Sequence, residues 1–454
     1  MPLPAAPSQT GRRRLLPIGQ NPHDAEILRL AVPAFGALVA EPLFLLADSA
    51  IVGRLGTTPL GGLGVASQAL TTLVGIAIFL AYGTTAAVSR QLGAGNQAAA
   101  IRQGIDGLWL AVIIGLIVLA VCWPVAPLIV QAFGGTAAVT GQATIYLRIS
   151  LLGAPSMLLV LAGTGVLRGL QDTRTPLTVA VGANVVNVFL NAVLVLGLHW
   201  GIAGSAWGTA IAQTGAAACY LAIVARGARR AGVNIAPDGG GLRAAAGAGA
   251  SLVVRTLALQ VVLIVVTAIA ARQGNAAIAA HQIAFRIWIL LAYALDAIAI
   301  AGQAITGKSL GAGDVPGARA ATNRMIGWGV VYGVVFGGLL AVAIPVLPAV
   351  FAAAPDVRRL LGPVLLLAAI QQPIAGVVFV LDGVLIGAGD QDYLALAGLA
   401  ATAVFGVAAT VVVTEHAGLI ALWLAFTIWM LARFGTLTLR ARGSRWLVTG
   451  AVRT

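Results

Sequence analysis

Apolar residues run in long blocks along this chain, and polar positions collect in short gaps between them. A helix of about 20 apolar residues spans the ~30 Å hydrocarbon layer of a bilayer, and these blocks reach or exceed that length. The pattern predicts twelve helices, at residues 26–53, 60–89, 103–126, 140–167, 174–198, 201–226, 243–271, 276–306, 318–345, 357–386, 391–414 and 417–440. The fold class implied is an all-α membrane protein. The stretch Leu15–Ile18 after Arg12, Arg13 and Arg14 is too short for the apolar region of a cleavable signal, so the first long block is read as a retained span.

The basic residues orient the spans. With the N-terminus on the cytoplasmic side, nineteen of the 27 bases fall in cytoplasmic segments, against four (Arg54, Arg272, Arg358 and Arg359) on the far side. Positive charge accumulates on the cytoplasmic side of membrane proteins. Both termini are therefore expected in the cytoplasm, and the chain in the plasma (inner) membrane. Arg148, Arg255, Arg286 and Arg433 remain inside spans.

An internal repeat organises the helices. Arg54-Leu55-Gly56 returns as Arg272-Gln273-Gly274, Leu92-Gly93-Ala94-Gly95 as Leu310-Gly311-Ala312-Gly313, Pro155 as Pro373, and Gly169 and Asp172 as Gly387 and Asp390, always 218 residues apart. Each half thus holds six spans. Because six is even, the halves are related by a pseudo-two-fold axis along the membrane normal, a plan shared by many secondary transporters. The expected layout is a tail at 1–25, an N-lobe at 26–226, a linker at 227–242 containing Pro237 and Gly239-Gly240-Gly241, a C-lobe at 243–440, and a tail at 441–454.

Composition narrows the function. Of 454 residues 59% are hydrophobic and 9% charged, and mean hydropathy is +0.98. A soluble surface cannot be covered with so few charges. The net charge of +13 follows from the topology-setting arginines, so no nucleic-acid partner is expected. Cys122 and Cys219 lie in apolar blocks and provide neither a disulfide framework nor a metal site. Gly93-Ala94-Gly95 lacks the strand and βαβ unit of a nucleotide loop, and no Walker lysine, His-Glu zinc motif or serine elbow occurs. An ATP-driven pump and an enzyme are disfavoured. The partners are small-molecule substrates and the bilayer, the chain is expected to be a monomer, and the only cofactor-like requirement is an ion gradient supplying H⁺ or Na⁺.

Ionisable groups inside spans are costly, by ~2.5 to more than 10 kcal/mol at the bilayer centre, and mark functional sites. They sit where the halves differ. Asp48 and Glu41 in the first span correspond to Val266 and Leu259, Asp296 to Ile78, Asp382 to Thr164, and Arg255 to Ala37. Asp48 lies among apolar neighbours with no base nearby except Arg54, and desolvation there favours the neutral acid, as a proton carrier requires. Glu41, seven residues earlier, falls on nearly the same helical face, ~10 Å away. It suits a proton relay or cation site, or else caps backbone groups freed at a kink. Pro33 and Pro42 weaken the helix ladder and mark the first span as a bending element. Asn187 and Asn191 share a face, and Thr209 in the next span could join them as an oxygen donor or as interhelical glue. Arg255 and Asp296 are expected to form a buried ion pair. Asp382 is a candidate substrate or second-lobe coupling residue, and His281 a packing residue.

Taken together, Leu30-Ala31-Val32-Pro33, Ala47-Asp48-Ser49-Ala50-Ile51-Val52-Gly53, Leu167-Arg168-Gly169-Leu170-Gln171-Asp172, Val254-Arg255-Thr256-Leu257, Tyr293-Ala294-Leu295-Asp296 and Asp382-Gly383-Val384-Leu385-Ile386-Gly387-Ala388 resemble the multidrug and toxic compound extrusion (MATE) transporters, in the DNA-damage-inducible (DinF-like) branch. The resemblance implies a V-shaped pair of six-helix lobes, alternating access, and exchange of H⁺ or Na⁺ for bulky cationic or amphipathic compounds. It places Asp48, Asn187 and Thr209 in an N-lobe cation-coupling site and Asp382 near a C-lobe site. Asn191 departs, since many relatives carry aspartate there, which weakens the case for sodium. A lipid-linked precursor flippase of the same superfamily is the alternative, with a channel or membrane enzyme behind it.

Overall fold

The computed structural model describes residues 22–351 and 354–453; Arg12, Arg13 and Arg14 and the rest of the expected N-terminal tail up to residue 21 lie outside these. The first half comprises α1 (Pro22–Gly53), α2 (Thr57–Ile76), α3 (Phe79–Gly93), α4 (Gln97–Phe133), α5 (Ala137–Leu152), α6 (Ala154–Gly169), α7 (Arg174–Asn191) continuing into a π turn at Ala192–Gly197, and α8 (Gly201–Ala231). The second comprises α9 (Gly239–Arg272), α10 (Asn275–Gly311), α11 (Val315–Ala343), the short α12 (Leu347–Val350), α13 (Pro355–Gly387), α14 (Gln391–Thr414) and α15 (Leu419–Arg442).

The α2–α3 pair forms one span, and α5 and α6, with a 55° bend between them, form another, so the described residues hold twelve. Gly153 and Pro155 at this bend explain it: proline suits a first turn but not a helix interior. Its counterpart Pro373 sits inside an unbroken α13. Helix ends reach past the apolar blocks where polar caps allow. Asn96 accepts from the Ala99 N–H at 3.0 Å, so α4 starts at Gln97 rather than near 103. Asp238 accepts from the Gly241 N–H at 2.9 Å and starts α9 within the expected linker, leaving residues 232–238 non-helical. That segment is pinned to the first half by Arg102 donating to the Asn234 carbonyl at 2.7 Å and Trp109 to that of Ile235 at 2.9 Å.

The repeat is visible in contacts. Asn184 donates to the Ala40 carbonyl at 3.1 Å, and Thr402, its partner in the repeat, donates to the Ala258 carbonyl at 3.0 Å. At the end that carries the start of α1 and the end of α15, the two copies of the Leu-Gly-Ala-Gly motif meet. A side chain at Gly93 would overlap the Lys308 carbonyl, and one at Gly311 would overlap the Arg90 carbonyl, so glycine at both permits backbone-to-backbone contact on the axis. The hydrogen bonds joining the lobes gather here too. Arg324 donates to Asp24 at 2.6 and 2.7 Å, Lys308 to Glu26 at 3.2 Å, and Gln171 to the Ala304 carbonyl at 2.9 Å.

Residues 443–453 strap this end. Arg90 donates to the carbonyls of Val448 at 2.6 Å, Ala388 at 3.0 Å and Gly450 at 3.2 Å, while the Gly450 N–H donates to Leu310 at 3.0 Å. Arg440 and Arg453 both bind Asp390, and Trp446 is 1% exposed. Removing the chain after Arg442 takes two of the three carbonyl acceptors from Arg90, a loss of about 1.5–3 kcal/mol per charged hydrogen bond. The truncated protein is expected to shift toward a form open at this end. Maleimide labelling of a cysteine at Ser89, in a background without Cys122 and Cys219, checks this: labelling should speed up several-fold.

Candidate coupling and substrate sites

In the first lobe, α1, α7 and α8 bring together Asp48, Asn191 and Ser205. Asp48 is 1% exposed, and its Oδ1 accepts from Asn191 Nδ2 and from Ser205 Oγ, each at 2.7 Å. No base among the described residues lies within ion-pair distance of it. Its Oδ2 is buried without a partner, as are Oδ1 of Asn187 and Oδ1 of Asn191. Asn187 donates instead to Thr209 at 3.2 Å. Tyr146 lies beside Asp48, Ser205, Thr209 and Ser150. Ser205 and Tyr146 were missed from the sequence, although Ser205/Thr209 and Tyr146/Ser150 each follow the i, i+4 spacing of one helical face.

Local backbone makes this constellation possible. Asn191 stands where α7 widens into the π turn, a device that rotates side chains out of the regular register and recurs at functional sites. Opposite it is Gly208, where any Cβ would overlap Asn191 Oδ1. Gly208→Ala is therefore expected to push Asn191 off Asp48 and lower ΔpH-driven transport about tenfold, the equivalent of one charged hydrogen bond; transport in proteoliposomes measures it, and Asn191→Ala should match it.

Glu41 does not join this site. It is exposed, while Asp48 is buried, and its electrostatic neighbour is Tyr293 of α10 in the other lobe. The two carboxyls were expected on one helical face, but the Glu41 side chain is exposed although α7 packs on the residue before it, where Asn184 donates to the Ala40 carbonyl. The helix itself runs unbroken through Pro33 and Pro42. Pro33 lacks the N–H that would bind the Arg29 carbonyl, and Thr173 approaches that carbonyl at 3.4 Å.

The second lobe corrects the expected ion pair. Arg255 pairs with Asp382, not Asp296: its Nε donates to Asp382 Oδ1 at 3.2 Å and its Nη2 to Oδ2. Arg433, on α15, stands 3.6 Å from the same carboxylate and stacks on Trp429 at 5.1 Å. A cavity of about 10 Å³ adjoins all three side chains, roughly the room of one water molecule. Asp296 is left within the electrostatic reach of Arg255, Arg168 and Arg433, with no hydrogen bond among the described residues. Arg168, counted among the cytoplasmic-side bases, is 8% exposed, because the end of α6 packs against Val88 of α3. His281 is a packing residue, fully buried, hydrogen-bonded to Thr267 at 3.2 Å and stacked on Phe285. Among the described residues no group of three or more His, Cys, Asp or Glu could hold a metal ion.

This arrangement can be set beside known proteins. The MatE family model matches residues 33–193 and 252–412, one stretch in each half. The chain belongs to the MATE family. DNA damage-inducible protein F of Escherichia coli (strain K12) is 30% identical over 420 residues, covering 90% of both chains, which places the protein among the DinF-like members. Protein DETOXIFICATION 45, chloroplastic, of Arabidopsis thaliana is 29% identical over 394 residues, covering 82% of this chain and 70% of the relative. Among solved structures, a MATE in the bent conformation superposes with a TM-score of 0.85 at 20% identity, covering 93% of this chain and 95% of that one. An outward-facing multidrug resistance MATE transporter superposes at 0.82, with 20% identity and 92% and 94% coverage. The twelve-helix, two-lobed fold is thus the MATE fold, and this MATE protein is an efflux transporter rather than an enzyme.

Proposed function

We propose that this MATE transporter exports small amphipathic organic molecules in exchange for protons, with Asp48 as the group that takes up and releases the proton. One observation carries the reading: a carboxyl buried within a spanning helix, held by two neutral donors on one oxygen, free on the other, and unpaired with any base among the described residues. A buried carboxylate without a counter-ion is costly, and protonation removes that cost. The cycle follows from the geometry. Protonation at Oδ2 weakens the pull of Oδ1 on Asn191 and Ser205, loosening α1 from α7 and α8, and this favours the lobe arrangement with lower substrate affinity. Deprotonation on the other side restores the three-helix contact.

Sodium is the second reading, favoured by three buried oxygens without partners, on Asp48, Asn187 and Asn191. One experiment separates the two: efflux from proteoliposomes under an imposed ΔpH or an imposed ΔNa⁺. Transport driven by ΔpH alone supports the proton; transport that requires ΔNa⁺ overturns it. The expected setting is the plasma (inner) membrane with both termini in the cytoplasm, so that the strapped end is the cytoplasmic gate, closed here. The domain limits follow this layout, with the lobes joined through residues 232–238. Asp382, locked to Arg255, is read as a structural and substrate-side group of the C-lobe rather than a second proton carrier, and Glu41 as a wall residue of the passage.

A further inference from the structure

The repeat makes two seams between the lobes at the strapped end, and they are closed differently. In the seam of α1 with α10 and α11, Asp24 takes Arg324 at 2.6 Å and the Trp328 indole N–H at 2.9 Å, and Glu26 takes Lys308 at 3.2 Å. In the matching seam of α9 with α3 and α4, the 218-residue offset puts Leu242 for Asp24, Ala244 for Glu26, Asp106 for Arg324 and Leu110 for Trp328. The pairs that cross the first seam are thus lost from the second, and a cavity of about 600 Å³ lies there. Its walls come from α3, α4, the starts of α9 and α14, and Ala451, Val452 and Arg453 of the strap. Both lobes and the strap contribute, so drawing the lobes apart at this end would dismantle it.

Much of the wall is small and apolar, with Gly83, Ala87, Gly107, Ala244 and Ala248 among its residues. The charged groups on it are already answered. Arg90 donates to three carbonyls, Asp106 takes Arg102 at 2.9 Å, Arg453 donates to Asp390 at 2.8 Å, and the exposed Asp392 takes the Ser251 hydroxyl. The neutral groups are not. Thr84 is 7% exposed and Gln391 8%, and neither side chain has a hydrogen-bond partner among the described residues. Gln103 lines the same cavity, and its Oε1 is buried without a partner. Buried polar groups left unpaired are costly, so three around one cavity mark a place where a ligand supplies their bonds. Thr84 and Gln103 also stand where the halves differ, since their counterparts are Gly302 and Ala321.

We propose that this cavity is a binding site for an uncharged, amide- or hydroxyl-bearing molecule with an apolar body, and that its occupant holds the strapped end closed rather than passing through the protein. The unmet hydrogen-bonding capacity of the wall is neutral: two carboxamides and one hydroxyl, each able to donate and to accept. The volume falls within the ~300–1,000 Å³ of small-molecule sites, which share this make-up of apolar walls with a few polar groups. A ligand that touches both lobes and the strap binds only the arrangement in which they meet, and so shifts the protein toward it. The inference rests on the reading of the strapped end as a gate, but not on proton coupling and not on the nature of the transported molecule.

The test uses chloramphenicol, an uncharged molecule with an amide, hydroxyls and an aromatic body, and the amine left when its acyl group is removed, a cation at neutral pH. Equilibrium dialysis against the purified full-length protein in detergent, with no ion gradient, measures both. Chloramphenicol should bind saturably at one site per chain and at least tenfold more tightly than the amine. Thr84→Val, Gln103→Leu and Gln391→Leu should each weaken it three- to tenfold; no side-chain hydrogen bond among the described residues is lost in them, so they should fold. Leu110→Trp, which copies Trp328 of the other seam into the cavity, should abolish binding. Bound chloramphenicol should also slow maleimide labelling of Ser89→Cys several-fold, in a background without Cys122 and Cys219, and should not do so when Leu110→Trp is added. No saturable binding, as for a cavity that holds water only, overturns the proposal. Equal binding of the amine, or binding that all four wall variants leave intact, does the same. Saturable binding that leaves labelling undiminished overturns the hold on the gate; if removing the chain after Arg442 leaves labelling unchanged too, the gate reading itself fails.

Discussion

Asp48→Asn is expected to reduce ΔpH-driven efflux to the level of empty liposomes while the protein still folds and reaches the membrane. Asparagine keeps an oxygen that can accept from Asn191 and Ser205, but without the negative charge it holds α1 to α7 and α8 only as loosely as the protonated acid does. It also copies the shape of the neutral acid. What it loses is the exchange of a proton, and with it any difference between the two ionisation states for the lobes to respond to; a ligand or ion with no differential affinity for two states shifts neither. Substrate binding without a gradient should persist at the lower affinity of the protonated state. Full proton-driven efflux by this variant would remove Asp48 from the coupling mechanism. Asp48→Glu is expected to be impaired as well, because the site is 1% exposed and an added methylene must displace packed neighbours.

Asp382→Asn is expected to destabilise the folded protein more than Arg255→Met does, by about 3–5 kcal/mol for a broken buried pair. The order follows from the third charge. When Arg255 is lost, Arg433 at 3.6 Å can still answer the carboxylate. When Asp382 is lost, Arg255 and Arg433 face each other with only the unpaired Asp296 nearby. The double variant Arg255→Met/Asp382→Asn should recover part of the stability, since the buried charge disappears in balanced form. Thermal unfolding followed by size-exclusion fluorescence ranks the variants. Equal losses in both single variants, undiminished in the double, would show that the pair does not hold α9 to α13.

Much of this architecture is dictated locally. Block length and apolarity specify the spans, because lipid demands that each backbone satisfy its hydrogen bonds within its own helix. The constant 218-residue offset specifies two matched lobes, and its exceptions isolate the buried acids and bases, Asp48 and Asp382 among them. Asn187 and Asn191 could be grouped by the i, i+4 face with Thr209 joining them, and the family resemblance set Asn187 and Thr209 beside Asp48. Bends were not legible: the helix read as continuous over 140–167 breaks at Gly153-Ala154-Pro155, while Pro33 and Pro42, read as bending points, leave α1 continuous.

Pairing is what the sequence could not decide. Asn191 reaches Asp48 across 143 residues and Arg255 reaches Asp382 across 127, and these meetings depend on how each helix is rotated about its axis. Hydropathy contains the axis but not the rotation, since tilt and rotation come from packing against neighbouring helices. The sequence alone therefore determined a twelve-helix membrane transporter with a handful of buried charges. Only the tertiary structure decided that Asp48 stands free of any base among the described residues, that Asp382 is claimed by two arginines, and that Arg168 is buried, because close contacts of α6 with α3 cover that helix end.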